Sequence, residues 1–240
     1  MKTKIKGFNP TTLIDWPGRV ASIIFLGGCN FRCPYCHSPD LVLNPQDLSD
    51  IPVDEVKSYL KEKKGWIKGL VITGGEPTLY REIEDFIADF KKTDIPLKLD
   101  TNGSRPEVLK KLLKKNLIDY IALDIKAPLE PTQNKNAVYD LITGVKTDIS
   151  KIKRSIELIR KSNIDYEFRT TIAPGQLELE DIKKIASFIT GARRYILQQF
   201  VPNNTLSPEM KEIKSLPIEE LEKMAESART YVAEVSIRGR

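Results

Sequence analysis

The chain has 240 residues, of which 40% are hydrophobic and 30% are charged, and its formal net charge is +5. This length fits one large domain, and the composition is typical of a globular protein and excludes a disordered chain. The longest apolar stretch, residues 20–26, is far shorter than the ~20 residues of a membrane-spanning helix, and the positive charge forms no basic cluster. We therefore expect neither membrane insertion nor nucleic-acid binding. No apolar signal segment follows the basic first residues, which predicts a cytoplasmic protein.

The elements predicted along the chain alternate between strands and helices. Residues 5–8 and 12–15 predict a short hairpin around Asn9 and Pro10. Six later runs rich in β-branched residues predict strands. These runs are residues 20–26, 69–73, 97–100, 120–125, 166–172 and 195–201. Between them, apolar residues recur at helical spacing, as in residues 149–159. This alternation predicts a parallel sheet covered by helices, and both an open doubly wound sheet and a barrel fit it.

Local signals refine this division of the chain. Ser104 and Glu107 have the spacing of a capping box, so we expect Ser104 to begin a helix. Residues 127–148 form the longest irregular stretch, and a loop of that length is more often functional than idle. No linker divides the chain. The sequence therefore predicts a single domain with an N-terminal hairpin (1–19), a strand–helix body (20–201) and a C-terminal helical extension (202–240).

Cys29, Cys33 and Cys36 directly follow the first strand of the predicted body. Three clustered cysteines argue against a disulfide framework, and thiolates favour zinc or an iron–sulfur cluster. A structural zinc site needs four ligands, and the neighbouring His37 is poorly placed to share one ion with Cys36. The C-x3-C-x2-C spacing therefore favours a [4Fe–4S] cluster held at three corners, with its fourth iron open. Structural zinc and unligated core cysteines are the alternatives.

Polar segments also follow later predicted strands. They are residues 73–77 (TGGEP), 100–103 (DTNG) and 123–126 (LDIK). Each has an ordinary explanation, respectively a strand-to-helix turn, an Asx turn and an ion pair on one strand face. The carboxyl ends of parallel strands meet at one edge, however, so together these segments predict one site. Arg169 lies inside a predicted strand, where its charge requires a partner such as a carboxylate.

These motifs resemble those of a known superfamily. The cysteine spacing is similar to that of radical S-adenosylmethionine enzymes, and residues 73–77 resemble their glycine-glycine-glutamate motif. Residues 100–103 and 123–126 resemble a narrower group, the activating enzymes of glycyl-radical enzymes. Residues 15–18 (DWPG) resemble the D-G-P-G segment of that group, with Trp in place of Gly. Within the group, residues 13–125 most resemble activators of anaerobic ribonucleotide reductases, and the resemblance as a whole extends through about residue 200.

The resemblance implies a partial (β/α)6 TIM-like barrel, one [4Fe–4S] cluster on the three cysteines, and bound S-adenosylmethionine. It assigns the amino group of the methionine moiety to the glycine-glycine-glutamate segment, where glycines let the backbone approach the ligand, and its carboxylate to Lys126. Asp100, Thr101 and Asp124 correspond to residues that hold a monovalent cation in one relative. Gln198 stands on the strand where that relative has a histidine near the ribose. The residues expected to bind cofactor are Tyr35, His37, Gly74, Gly75, Glu76, Asp100, Thr101, Asn102, Asp124, Lys126, Arg169 and Gln198.

The activity implied is reductive cleavage of S-adenosylmethionine, followed by abstraction of a glycine Cα hydrogen from a partner glycyl-radical enzyme, an anaerobic ribonucleotide reductase. Asp15, as a catalytic residue, and residues 127–148 are expected to contact the partner's loop. The sequence holds no second cysteine cluster, so the electron is expected from a ferredoxin or flavodoxin. One alternative is a small-molecule radical enzyme of the 7-carboxy-7-deazaguanine synthase type, which shares the TGGEP motif. A non-enzymatic zinc protein that binds nucleic acid is another.

Overall fold

Eight strands form one sheet whose spatial order is the chain order. The computed structural model describes residues 3–129 and 136–239. Strand β1 pairs antiparallel with β2, and each following pair from β2 to β8 is parallel. In the part of the chain that the structure describes, β1 and β8 are the free edges, so the sheet is an open partial barrel. The strands are β1 (Ile5–Thr12), β2 (Ala21–Leu26), β3 (Gly69–Gly74), β4 (Leu97–Thr101), β5 (Tyr120–Asp124), β6 (Asp165–Ile172), β7 (Arg194–Gln199) and β8 (Glu234–Arg238).

Helices occupy the connections between the parallel strands, as crossover topology requires. They are α1 (Pro39–Leu43), α2 (Val53–Glu62), α3 (Ile83–Lys91), α4 (Pro106–Lys114), α5 (Asn136–Thr143), α6 (Ile149–Arg160), α7 (Leu179–Phe188) and α8 (Ile218–Arg229). Among the described residues, no helix is both long and apolar enough to cross a membrane.

Side chains on the two faces of the sheet enter two separate cores, because successive residues of a strand point to opposite sides. The outward face packs against the helices, with Ile24, Ile72 and Leu123 fully buried there. The inward face holds a smaller apolar cluster, which we call the inner cluster: Trp16, Ala21, Ile23, Val71 and Tyr120. The fold therefore has a helix-covered outer core and a separate barrel interior.

The predicted α/β partial barrel is confirmed, and each of the six predicted strands is present. The predicted turn at Asn9 and Pro10 is wrong, because Ile5–Thr12 forms one continuous strand that pairs with β2. Pro10 is tolerated because β1 is an edge strand, where a missing N–H need not pair. A hairpin does open the chain, but its turn spans residues 13–20.

Three other features differ from expectation, namely the start of one helix and two elements that were not predicted. Helix α4 begins at Pro106 without a side-chain cap, and the Ser104 hydroxyl instead accepts a hydrogen bond from Asn30 Nδ2 at 3.0 Å. Strand β8 was not predicted, because only Val235 in it is buried and no apolar run marks it. Helix α5 lies within the stretch expected to be irregular, of which residues 130–135 lie outside the described residues.

Candidate active site at the carboxyl ends of the strands

One cavity opens at the carboxyl ends of β3 to β6, beside the cysteine loop that follows β2. It brings together every predicted site residue except Asp15, Glu76 and Gln198. The predicted residues that line it are Cys29, Cys33, Tyr35, Cys36, His37, Gly74, Gly75, Asp100, Thr101, Asn102, Asp124, Lys126 and Arg169. Phe31, Val42 and Thr171 line it as well and were missed, whereas Thr73 lines it as part of the predicted TGGEP segment. Thr171 could have been found, because it lies two residues beyond Arg169 on the same strand face.

The three cysteines are free thiols that face this one cavity. Burial raises the pKa of Cys29 to about 12 and that of Cys33 to about 11. The Phe31 N–H points at Cys29 Sγ from 3.4 Å, and the Cys36 N–H donates to the Cys33 carbonyl at 3.0 Å. At neutral pH these groups are therefore neutral thiols, and holding them as thiolates would require nearby positive charge, such as that of a bound metal centre.

Gly74 and Gly75 join the end of β3 to the cysteine loop. The Gly75 N–H donates to the Leu26 carbonyl at 2.9 Å, and the Glu76 N–H donates to the Gly28 carbonyl at 2.8 Å. A Cβ on Gly74 would lie 2.1 Å from the Leu26 oxygen, and one on Gly75 would lie 2.0 Å from the Gly28 oxygen. The two glycines thus permit close contact between two backbone segments, which is a different reason for glycine from the approach to a ligand that we expected.

Glu76 is buried and does not line the cavity. Its Oε1 accepts from the Thr78 N–H at 3.0 Å, from Thr101 Oγ1 at 2.8 Å and from Thr78 Oγ1, and its Oε2 accepts from the Asn102 N–H at 2.6 Å. Burial raises the pKa of this carboxyl, although its four donors favour the ionised form. In this arrangement the carboxylate ties the ends of β3 and β4 together instead of facing the cavity.

The turn after β4 is linked to the cysteine loop by side chains. Asn102 Nδ2 donates to Asn30 Oδ1 at 2.9 Å and lies 4.0 Å from Cys29 Sγ. Asn30 Nδ2 in turn donates to the Ser104 hydroxyl. Asn30 and Ser104 were missed as site residues, because their pairing spans 74 positions in sequence. Their hydrogen bonds fix the position of Cys29 relative to the DTNG turn.

Helix α5 braces the same loop from outside the cavity. Its Thr143 carbonyl accepts from the Arg32 N–H at 2.7 Å, and a Cβ on Gly144 would lie 2.4 Å from the Arg32 carbonyl oxygen. The fully buried Tyr139 accepts from the Lys126 N–H at 3.3 Å. The helix therefore contacts both the cysteine loop and the LDIK segment, which explains why a helix is built into the connection after β5.

Charged side chains form the floor of the cavity. Arg169 donates through Nη1 to Asp100 Oδ2 and through Nε to Asp124 Oδ1, both at 2.8 Å. Lys126 Nζ lies 3.2 Å from Asp124 Oδ2 and 5.8 Å from the centre of the Tyr35 ring. Burial acts to raise the pKa of Asp124, but Arg169 and Lys126 outweigh it and lower the pKa to about 2. Two carboxylates expected to hold a monovalent cation are thus paired with a guanidinium.

Two polar atoms of the cavity residues lack a hydrogen-bond partner among the described residues. They are the Tyr35 hydroxyl and Asp100 Oδ1, both buried. The cation facing Asp100 Oδ1 is Lys98, whose Nζ lies 3.4 Å away. A buried polar atom without a partner costs about 1–3 kcal/mol, so such atoms in a native protein need an explanation. A polar ligand in the cavity would supply the missing partners.

Besides Glu76, two predicted residues lie outside the cavity lining, Asp15 and Gln198. Asp15, which we expect to contact the partner's loop, accepts a hydrogen bond from the Thr12 hydroxyl. Its carbonyl accepts from Lys98 Nζ, and it does not line the cavity. Gln198 lies beside Thr171 in the pairing of β6 with β7, outside the cavity lining. His37 does line the cavity, and its ring is 5.9 Å from that of Phe200. Burial lowers the pKa of His37.

The family follows from comparison with known proteins. The model of the radical SAM superfamily matches residues 23–189, so the chain belongs to that superfamily. A Methanocaldococcus jannaschii protein assigned to the glycyl-radical enzyme activating enzymes is 34% identical, over 99% of this chain and 97% of its own length. The pyruvate formate-lyase-activating enzyme of Clostridium pasteurianum is 27% identical, over 85% of this chain and 83% of its own length. Within the superfamily, the chain belongs to the glycyl-radical enzyme activating enzymes.

Solved structures share the fold. Streptococcus suis SuiB bound to S-adenosylmethionine aligns with a TM-score of 0.64 at 17% identity, over 88% of this chain and 48% of SuiB. The enzyme anSMEcpe with bound AdoMet aligns with a TM-score of 0.56 at 17% identity, over 88% of this chain and 61% of that protein. The chain thus spans about half the length of SuiB, and at these identities the likeness shows a common fold.

Proposed function

We propose that this protein is an activase that reductively cleaves S-adenosylmethionine and abstracts a Cα hydrogen from a glycine of a partner glycyl-radical enzyme. One observation carries the proposal: three free cysteines and the charged ends of β4, β5 and β6 line the same cavity. A cluster-binding loop and a site for a charged ligand are therefore in contact.

The cavity residues fit both groups. Cys29, Cys33 and Cys36 supply the soft sulfur ligands that an iron–sulfur cluster requires, and three protein ligands leave one iron of a [4Fe–4S] cluster open. A zwitterionic methionine end needs both an anion and a cation, and Asp100 and Lys126 present them in one cavity. When bound, the cluster and S-adenosylmethionine supply carbon–sulfur cleavage and a carbon-centred radical that removes a hydrogen atom.

The chain's own residues bind and orient. Lys126 Nζ is placed to pair with the methionine carboxylate. Asp100, whose Oδ1 makes no hydrogen bond but faces Lys98 Nζ at 3.4 Å, would accept from an ammonium or a ribose hydroxyl. The buried Tyr35 offers its ring and its unpaired hydroxyl to the nucleoside. Charge-assisted bonds of this kind are short and directional, so they fix the ligand relative to the cysteine loop. The orientation needed for radical transfer follows from these contacts.

The proposal also names a class of partner enzyme and an electron donor. The names of the relatives support a glycyl-radical enzyme as the substrate. The motifs at residues 100–103 and 123–126 favour an activator of glycyl-radical enzymes. The resemblance of residues 13–125 favours an anaerobic ribonucleotide reductase as the partner, with a ferredoxin or flavodoxin as the external electron donor. Asp124, Lys126 and Arg169, which belong to or contact the second of these motifs, are all in the cavity.

Mixing the reduced holoenzyme and S-adenosylmethionine with a candidate reductase, without oxygen, tests this function. We expect a glycyl-radical signal in the electron paramagnetic resonance spectrum of the reductase. A reductase variant with alanine at the radical glycine is the matched control and should give no such signal. If 5′-deoxyadenosine forms but no glycyl radical appears with any candidate partner, the activase proposal is wrong and a small-molecule substrate takes its place.

A further inference from the structure

A second layer of buried charge lies beneath the floor of the cavity. Lys98 and Glu167 have side chains with 0% exposure, and Lys98 Nζ is 3.3 Å from Glu167 Oε1. Lys98 shares the inward face of β4 with Asp100, and Glu167 shares the inward face of β6 with Arg169, because alternate residues of a strand point the same way. Neither Lys98 nor Glu167 lines the cavity. The pair lies beneath Asp100 and Arg169, two residues earlier on the same two strands.

Glu167 is ionised and strongly held. Its Oε2 is 3.2 Å from Arg238 Nη2 and accepts from the Tyr120 hydroxyl at 3.1 Å. Burial acts to raise the pKa of Glu167, but Lys98, Arg169 and Arg238 outweigh it, and the pKa is lowered. A full negative charge therefore lies inside the barrel, directly below the cavity.

Arg169 is within reach of both layers. Its Nη1 lies 2.8 Å from Asp100 Oδ2 and 3.9 Å from Glu167 Oε1. One guanidinium thus faces a carboxylate that lines the cavity and another that lies beneath it. Lys98 Nζ stands between the same two carboxylates, 3.4 Å from Asp100 Oδ1 and 3.3 Å from Glu167 Oε1. Lys98 and Arg169 therefore both face Asp100 and Glu167.

Stability gives little reason for this arrangement. A buried ion pair carries a large desolvation cost, and apolar residues of similar volume are often as stable or more so. We propose that Lys98 is a positioning residue: it neutralises Glu167 and so keeps the Arg169 guanidinium on Asp100, at the cavity floor. This inference rests on the proposed function only in taking S-adenosylmethionine as the ligand of the cavity.

Replacing the lysine tests the idea. In Lys98→Met the ammonium is lost while the length of the side chain is nearly kept. Glu167 then has Arg238 and Arg169 as its cationic partners and draws the Arg169 guanidinium away from Asp100. We expect the dissociation constant of S-adenosylmethionine, measured by calorimetry on the cluster-loaded protein, to rise about tenfold. A change of that size corresponds to weakening one charge-assisted hydrogen bond.

The second variant separates positioning from a merely structural role. In Lys98→Met combined with Glu167→Gln, the competing charge is gone, so Arg169 returns to Asp100 and the affinity is restored to within about threefold of the wild type. If the two substitutions damaged the core independently, their losses of binding free energy would instead add. If the double variant binds S-adenosylmethionine as weakly as Lys98→Met or more weakly, the proposal is wrong.

Lys91→Met is the matched control. Lys91 pairs with Asp119 at 2.6 Å on the helix-covered side of the sheet, away from the cavity. The Lys91→Met variant loses one lysine charge, as Lys98→Met does, and we expect its affinity for S-adenosylmethionine to match that of the wild type. Where Lys98→Met does not fold, Lys98→Gln carries the same pair of measurements, because it keeps a donor for the Asp15 carbonyl without the charge.

The two proposals fail in different ways. A wild-type holoenzyme that does not bind S-adenosylmethionine contradicts the proposed function. A wild type that binds it, together with a Lys98→Met variant of unchanged affinity, leaves the function standing and contradicts the role of Lys98.

Discussion

The two sides of the barrel interior are built from opposite kinds of residue. On β2 and β3, Ile23 and Val71 pack with Trp16 in the inner cluster. On β4 and β6, the inward positions are charged and include Lys98 and Arg169. Hydrophobic burial explains the first side. It cannot explain the second, because burying charges costs free energy, and these charges lead directly to the cavity.

Tyr120 on β5 marks the border between the two sides. Its ring is 5.7 Å from that of Trp16, and Lys98 Nζ lies 5.3 Å from its centre. The comparison leads us to assign support of the barrel to the apolar side and, under the proposed function, ligand binding to the charged side. Substitutions on the first side should therefore change stability, and those on the second should change affinity.

The largest effect is expected at the cysteine loop. Cys33→Ala removes one of three sulfur ligands, so we expect complete loss of bound iron and of S-adenosylmethionine cleavage. Iron analysis and chromatography of 5′-deoxyadenosine measure these two losses, and the far-ultraviolet circular dichroism spectrum should stay that of the folded chain. Full iron content in the variant would contradict the assignment of this ligand.

On the apolar side, Ile23→Ala leaves a cavity in the inner cluster. We expect the free energy of unfolding to fall by about 2–5 kcal/mol, as is usual when a buried isoleucine becomes alanine. The milder Ile23→Val should cost about 0.5–1.5 kcal/mol. Denaturant titration measures both. The folded variants should bind S-adenosylmethionine like the wild type. A large loss of affinity in Ile23→Val would contradict the claim that the apolar side affects stability and not ligand binding.

On the charged side, Lys126→Ala removes the ammonium beside Asp124. We expect S-adenosylmethionine binding to weaken by about 1.5–3 kcal/mol, the size of one hydrogen bond to a charged group. Equilibrium binding to the cluster-loaded protein measures the change. Lys151→Ala, an exposed position on α6, is a suitable control and should bind normally. An unchanged dissociation constant for Lys126→Ala would remove Lys126 from the site.

A pH dependence of stability is expected at Asp124. The pKa of Asp124 is about 2 in the folded chain against an ordinary 3.8, so its ionised form stabilises the fold above pH 3.8 and that stabilisation is lost as the pH falls towards 2. The wild type should therefore lose about 2 kcal/mol more than Asp124→Asn between pH 5 and pH 2. Denaturant titration of the cluster-free chain measures this. Parallel pH curves for the two proteins would show that Asp124 is not held in its ionised form.

Most of the fold was predictable from local pattern. The parallel strands from β2 to β7 are short β-branched runs that end at glycine or polar turns, and both signals act within a few residues. Strand β8 has no such run, because it is amphipathic and mostly accessible. Ser104 was misassigned because a local capping pattern competed with a tertiary hydrogen bond from Asn30.

The sequence predicted most of the residues that line the cavity, but it predicted fewer of the contacts that their side chains make. Alignment of strand ends brought Asp100, Asp124 and Lys126 to one cavity, as topology requires. The sequence could not show that Glu76 binds protein donors, or that Asp15 lies under the floor, because both depend on side-chain contacts between distant segments. Lys98 and Glu167 could have been identified from the sequence, because each is a charged residue inside an apolar strand. The same signal identified Arg169.

A single assay decides whether the cavity beside the three cysteines is a radical S-adenosylmethionine site. The anaerobically reconstituted wild-type protein is reduced with S-adenosylmethionine present, and 5′-deoxyadenosine and methionine are quantified beside Cys33→Ala. We predict that the wild type is brown, contains iron and forms both products in equal amounts, and that the variant forms neither. A colourless wild type that holds zinc instead of iron and forms no 5′-deoxyadenosine would contradict the assignment.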